Sequence, residues 1–262
     1  MPSDEDSMPE SLIVDAQNVS VIYRLTEYKS NSFKEWVFNR LKGRGGSREF
    51  VAVDNVSFRL RRGESLALVG HNGSGKSTLL RVIAGVIPPA KKSSIIVTGR
   101  IAPMIELGAG FDGELSGREN IYLSCLILGL SYREIGELVE SIIDFSELRK
   151  FIDVPVKNYS SGMYARLGFA CATAVKPDLI IVDEVLAVGD SNFSVKCLDR
   201  IKKLREAGTS VLLVSHDEGS VRQFCDRALV MNEGKSIYDG DVETALMLHR
   251  DVMATRAAAA KL

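Results

Sequence analysis

The run Gly70-His71-Asn72-Gly73-Ser74-Gly75-Lys76-Ser77-Thr78 fits G-x-x-x-x-G-K-[ST], the pattern of a loop that cradles phosphate. The chemistry follows from residue type. Glycines let backbone N–H groups curl around an anion, and a helix beginning at the loop's end adds partial positive charge. In that arrangement Lys76 reaches the β- and γ-phosphates of a nucleoside triphosphate, and the Ser77 hydroxyl ligates Mg2+. Gly70, Asn72, Gly73, Ser74, Gly75 and Thr78 complete the cradle. A chance Gly-rich turn is the plain alternative. The flanks argue against it: Ser65–Val69 reads as a buried strand before the loop, and Thr78–Val86 reads as a helix after it.

A second group of residues suits the same ligand. Asp183 and Glu184 follow the apolar run Leu179–Val182. A carboxylate at a strand end can hold Mg2+ directly or through water. Adjacent residues leaving a strand point in different directions, so Glu184 can face an attacking water and act as general base. Two solvated acids in a turn are the alternative. His216 follows the next apolar run, Val211–Val214, by way of Ser215. Strand ends meet at the ligand crevice of an open α/β sheet, which puts His216 within reach of the γ-phosphate or the water. A lone structural histidine is the competing reading. Ser160-Ser161-Gly162 opens a helical stretch, where N–H groups, hydroxyls and the helix dipole favour an anion. Serine and glycine are also ordinary caps, and spacing does not choose between the two. Tyr23 lies upstream of the loop and either stacks on adenine or sits on a sheet surface.

These residues need elements to hold them. Strands are expected at Leu12–Val14, Val19–Tyr23, Phe50–Arg61, Ile95–Val97, Ala228–Met231 and Ser236–Tyr238, besides the apolar runs already named. Ile101–Gly113 reads as irregular, and residues 116–176 as a helical insertion. Helices are expected at Arg118–Leu128, Tyr132–Phe145, from Ser160 toward Val175, at Phe193–Ala207 and at Val242–Met253, with a frayed tail from Ala254. The alternation implies a doubly wound α/β core. Tyr28–Arg48 places Phe33, Trp36, Val37 and Leu41 on one helical face among six cationic residues and only Glu35. Such a helix suits a membrane interface or packs on the protein's own sheet.

Composition bounds the rest. The 262 residues are 45% hydrophobic with net charge −1, enough for a full core and without a basic field for nucleic acid. Cys125, Cys171, Cys197 and Cys225 form no C-x-x-C pair and read as buried thiols. Residues 1–11 read as an acidic flexible tail rather than a signal peptide. No stretch approaches the roughly 18 apolar residues of a membrane span, so any membrane role is expected to come through a partner.

Taken in order, Gly70–Thr78, Tyr159–Met163, Leu179–Glu184 and Ser215-His216 resemble the nucleotide-binding subunit of an ABC transporter, over roughly residues 12–245. The resemblance implies a P-loop NTPase core with an antiparallel β subdomain, the helical subdomain at 116–176, and a C-terminal helix end and tail at 246–262. It implies ATP and Mg2+ as cofactors and a head-to-tail homodimer. Ser160–Gly162 of one copy would close over the γ-phosphate held by Lys76 of the other. Glu106–Phe111, Gly117–Tyr122 and Glu184–Asp190 resemble the ATPases of polysaccharide exporters for O-antigen, capsule or teichoic acid, and add Asp190 to the nucleotide-binding residues. That family carries a basic amphipathic helix matching 28–48. The partners implied are polytopic permease subunits at the cytoplasmic face of the inner membrane and, through them, a lipid-linked glycan. Some relatives append a carbohydrate-binding domain, for which this chain is too short. The signature departs from L-S-G-G-Q, and Glu106 or Leu107 stands where a Mg2+-contacting glutamine is usual. Other readings are an ABC exporter of drugs or lipids, a soluble ABC ATPase, or a P-loop kinase.

Overall fold

The computed structural model describes residues 11–26, 47–105, 107–183, 190–215 and 217–259. Glu106, Glu184, His216 and the expected amphipathic helix up to residue 46 lie outside the described residues. In chain order the strands are β1 (Leu12–Thr26), β2 (Ser47–Arg61), β3 (Ser65–Val69), β4 (Ser94–Val97), β5 (Ile101–Pro103), β6 (Leu179–Asp183), β7 (Ser210–Val214), β8 (Arg227–Asn232) and β9 (Lys235–Gly240). The helices are α1 (Lys76–Ile83), α2 (Gly117–Ile127), α3 (Tyr132–Ser146), α4 (Ser161–Ala174), α5 (Ser191–Glu206), α6 (Glu218–Phe224) and α7 (Val242–Ala259).

One sheet runs β5-β6-β7-β3-β8-β9, parallel except for the β8–β9 hairpin. The other is antiparallel, β2-β1-β4. The core strands lack polar alternation because helices or the second sheet cover both faces. On β3, Leu66 and Leu68 pack with Val14, Val53, Leu79 and Leu80 on the antiparallel-sheet side. Ala67 and Val69 join Phe193, Phe224 and Leu246 on the other. Each such leucine contributes about 1.5–3 kcal/mol by burial. The strand carrying the phosphate loop is therefore fixed from both sides.

Helices α2, α3 and α4 enclose a separate core of Ile121, Ile135, Ile142, Leu167 and Cys171. Its first two helices begin with capping boxes, Ser116 with Glu119 and Ser131 with Glu134, each an S-x-x-E signature visible in sequence. This layer is tied to the β5 side by close packing. Tyr164 donates to the Gly108 carbonyl at 2.9 Å. A Cβ on Gly168 would stand 2.5 Å from the Gly108 nitrogen, so only glycine allows that approach.

Several expectations change. Leu12–Val14 and Val19–Tyr23 are one strand, kept continuous through register shifts between Ala16 and Ile22 and a positive φ at Asn18. Ser47 and Arg48 belong to β2, not to a helix or its break. Ile101–Pro103 is not irregular: it hydrogen-bonds to β6 as an edge strand. The last helix runs to Ala259, not Met253, and the tail expected from Ala254 is helical that far. The short helix α6 follows an Asp217 cap that accepts from Gly219 and Ser220 backbone N–H groups. All four cysteines are buried and free. Burial pushes the Cys197 and Cys225 thiols up to about 12, which makes them poor nucleophiles.

Candidate functional site

The apolar strand β3 ends at Val69 and α1 begins at Lys76, so the intervening loop must reverse within six residues. Gly75 makes the last step possible. It caps α1 at φ +102°, and a Cβ there would stand 2.5 Å from the Ala52 carbonyl oxygen. Gly75→Ala should strain the loop by about 1–3 kcal/mol and lower the melting temperature by roughly 2–10 °C. Calorimetry checks this, and an unchanged melting temperature would show that the loop relaxes around the methyl group.

Lys76 is buried, yet its ammonium is satisfied. Nζ donates to the Gly70 carbonyl at 2.6 Å and the His71 carbonyl at 2.9 Å. The lysine thus lies folded over its own loop. Ser74 donates its backbone N–H to His71 at 3.1 Å and accepts from the Gly234 N–H at 3.0 Å. The turn between β8 and β9 therefore supports the loop from outside.

A cavity of about 350 Å3 opens on the loop, lined by Asn72, Gly73, Gly75, Lys76, Ser77, Thr78 and Asp183. The sheet order explains why Asp183 is there. β6 and β3 flank β7, and parallel strands put their C-terminal ends on one edge. Gly70 and Ser74 lie on the loop behind the lining. A second hollow of about 480 Å3, beside Gly63, Lys202, Arg205 and Asp226, lies at the opposite strand ends, away from this chemistry.

The other expected residues stand apart from this cavity. Ser160 is the N-cap of α4, and its Oγ accepts from the Met163 N–H at 3.2 Å. Ser161 and Gly162 begin the helix, and Ser161 is exposed. None of the three lines the cavity. Tyr23 is half-exposed on β1 opposite Phe50, also outside the lining. Asp190 caps α5, accepting from the Phe193 N–H at 2.9 Å, and pairs with Arg166 of α4 at 2.7 Å. The Phe193 N–H first, then Arg166, hold its carboxyl below the usual carboxylate range. Arg166 also reaches Glu147 at 3.1 Å, and Lys196 reaches Glu147 at 3.0 Å. The helix led by Ser160–Gly162 is thereby joined to the start of α5.

Sequence reasoning missed His71, whose ring is buried in the loop. Nδ1 donates to the Asn72 carbonyl at 2.7 Å, and Nε2 lies 3.2 Å from the Asn232 side-chain oxygen. No local pattern signals that contact, because Asn232 is 161 positions away.

Comparison with known proteins gives this arrangement a family. The family description "ABC transporter" matches residues 53–187. The O-antigen export system ATP-binding protein RfbB of Klebsiella pneumoniae is 42% identical over 248 residues, spanning 92% of this chain and 99% of that one. The teichoic acids export ATP-binding protein TagH of Staphylococcus haemolyticus is 41% identical over 236 residues, spanning 90% and 87%. A dimeric ATP-binding cassette solved with ADP and Pi superposes with a TM-score of 0.68 at 22% identity, covering 87% of this chain and 98% of that one. At that identity the likeness speaks for the fold alone. On the family match and the near-complete overlap with a close relative, the chain belongs to the ABC transporter family and is its ATP-hydrolysing cassette.

Proposed function

We propose that two copies of this chain bind two ATP head to tail and energise export of a lipid-linked polysaccharide through a polytopic permease. One observation carries the dimer. The cavity gathers Lys76, Ser77 and Asp183, while Ser160–Gly162 presents a helix start away from it. A site built from the cavity of one copy and the helix start of its partner uses both halves. The export reading is supported by the O-antigen and teichoic acid relatives.

Within the cavity Lys76 leaves the Gly70 and His71 carbonyls for the β- and γ-phosphates. Ser77 and Asp183 both line the cavity and offer hard oxygen donors, the donor chemistry that suits Mg2+. Bound there, the ion would neutralise charge on the β- and γ-phosphates. Glu184 takes a proton from the attacking water, His216 hydrogen-bonds the γ-phosphate, and Tyr23 stacks on adenine. Ser161 and Gly162 of the partner donate to the γ-phosphate. Asp190 holds Arg166 and the α4 helix next to the nucleotide it is expected to bind in the dimer.

Among the described residues no helix is long and apolar enough to cross a membrane. Membrane attachment then comes through the permease, at its cytoplasmic face. Exposed Leu126 and Ile127 on α2 and exposed Tyr132 on α3 offer apolar surface for it.

Glu184→Gln tests the reading. It should keep ATP binding, lower turnover at least about 100-fold, and leave an ATP-dependent dimer on gel filtration. Full turnover would remove Glu184 as the base. Co-purification with a polytopic membrane protein from carbonate-washed membranes tests the export role. Recovery free of any membrane protein would overturn it.

A further inference from the structure

We propose that His71 is a positioning residue that turns the Asn72–Gly73 peptide so that the Gly73 N–H faces the phosphate chain, with Asn232 holding the ring in place. The inference deepens the nucleotide reading of this loop and rests on it. The His71 ring is buried, and Nδ1 donates to the Asn72 carbonyl at 2.7 Å. That carbonyl can only accept, so the proton sits on Nδ1. Among the described residues no peptide bond is cis. In a trans peptide the C=O and the following N–H point in opposite directions. A carbonyl drawn toward the ring therefore sends the Gly73 N–H away from it. Gly73 lines the cavity, and its N–H has no acceptor among the described residues. An unpaired N–H beside a cationic side chain in an anion cradle is a donor held ready.

The ring in turn needs an anchor. Nε2 lies 3.2 Å from the Asn232 side-chain oxygen at the end of β8. This is a hydrogen bond for the imidazolium, or for the neutral ring once the Asn232 amide presents its NH2. Asn232 itself is well fixed. The next turn residues are clamped, Gly234 by its N–H to Ser74 at 3.0 Å and its carbonyl to the Asp54 N–H at 2.8 Å. Glu233 pairs with Arg256 of α7 at 3.1 Å. Asp54 pairs with Lys235 at 3.4 Å, and the Lys76 ammonium rests on the His71 carbonyl. The β8–β9 turn thus acts as a bracket, and the Asn232 side chain reaches the loop through His71.

The test compares the full-length wild type with His71→Ala, Asn232→Ala, the double variant and Lys76→Ala. Titration calorimetry gives ATP and ADP affinities, and steady-state kinetics separates kcat from KM. Losing the peptide-orienting contact should weaken ATP and ADP alike by about tenfold, raise KM to match, and leave kcat at saturating ATP within about twofold. The double variant should be no weaker than His71→Ala, since both remove one device. His71→Gln, which keeps a side-chain N–H donor, should recover much of the loss and guards against a misfolded alanine variant. Wild-type affinity in a folded His71→Ala protein, fully additive losses, or kcat falling together with the melting temperature would each overturn the proposal. Lys76→Ala separates the two levels. If it too keeps ATP affinity, the nucleotide reading of the loop fails; if it alone loses affinity, only the role of His71 fails.

Discussion

Replacing Lys76 with alanine should weaken ATP binding by about 100-fold or more. Lys76 is only 5% exposed, and its ammonium donates to the Gly70 and His71 carbonyls of its own loop. Those carbonyls keep the ammonium folded over the cavity mouth, and phosphate oxygens replace them one for one. Charge-assisted hydrogen bonds are each worth roughly 1.5–3 kcal/mol, and two of them already exceed a factor of 100. Asp183 lines the same cavity, so without Lys76 the triphosphate meets a carboxylate with less cationic charge to offset it. Lys76→Arg should not rescue the loss, because a wider planar guanidinium has to fit a slot shaped for a slim ammonium stem. Titration calorimetry with ATP decides, and unchanged affinity would count against the assigned role.

Much of this site is legible from residue order because its strands are buried on both faces. Ser65–Val69, Leu179–Val182 and Val211–Val214 read as strands from apolar content alone, and each ends where a polar group is needed. The S-x-x-E pairs at Ser116 and Ser131 mark helix starts just as directly. Where legibility failed, the cause was tertiary or a neglected local signal. β1 looked like two strands because shifts in its register break the alternation. Ile101–Pro103 is too short to announce itself and is a strand only because β6 pairs with it. Ala254–Ala259 looked like a tail, yet alanine is the strongest helix former and carries α7 onward. Asp217, followed by Glu218 and Ser220, is a cap for α6 whose residue types are legible locally. The tie between His71 and Asn232 spans 161 positions, beyond any local pattern.

Ser161→Glu should leave ATP binding by a lone subunit near wild type and abolish both ATP-driven dimerisation and turnover. Ser161 is exposed at the first position of α4 and does not line its own chain's cavity. A carboxylate there cannot disturb the nucleotide held by the same copy. Near an N-terminus it is even tolerated by the helix, because the dipole favours negative charge. Its cost falls on the partner, where it would meet a γ-phosphate with like charge in a water-poor interface. This separation permits a complementation test. A Lys76→Ala subunit contributes a sound helix start, and a Ser161→Glu subunit contributes a sound phosphate loop. Mixed one to one, about half the dimers are heterodimers, and each carries one site with both parts intact. If the sites act independently, activity should return to roughly a quarter of wild type from two inactive stocks. No recovery, with heterodimers present by mass spectrometry, would mean that the two halves do not meet across an interface. Full activity of Ser161→Glu alone would mean that the helix start takes no part in the reaction.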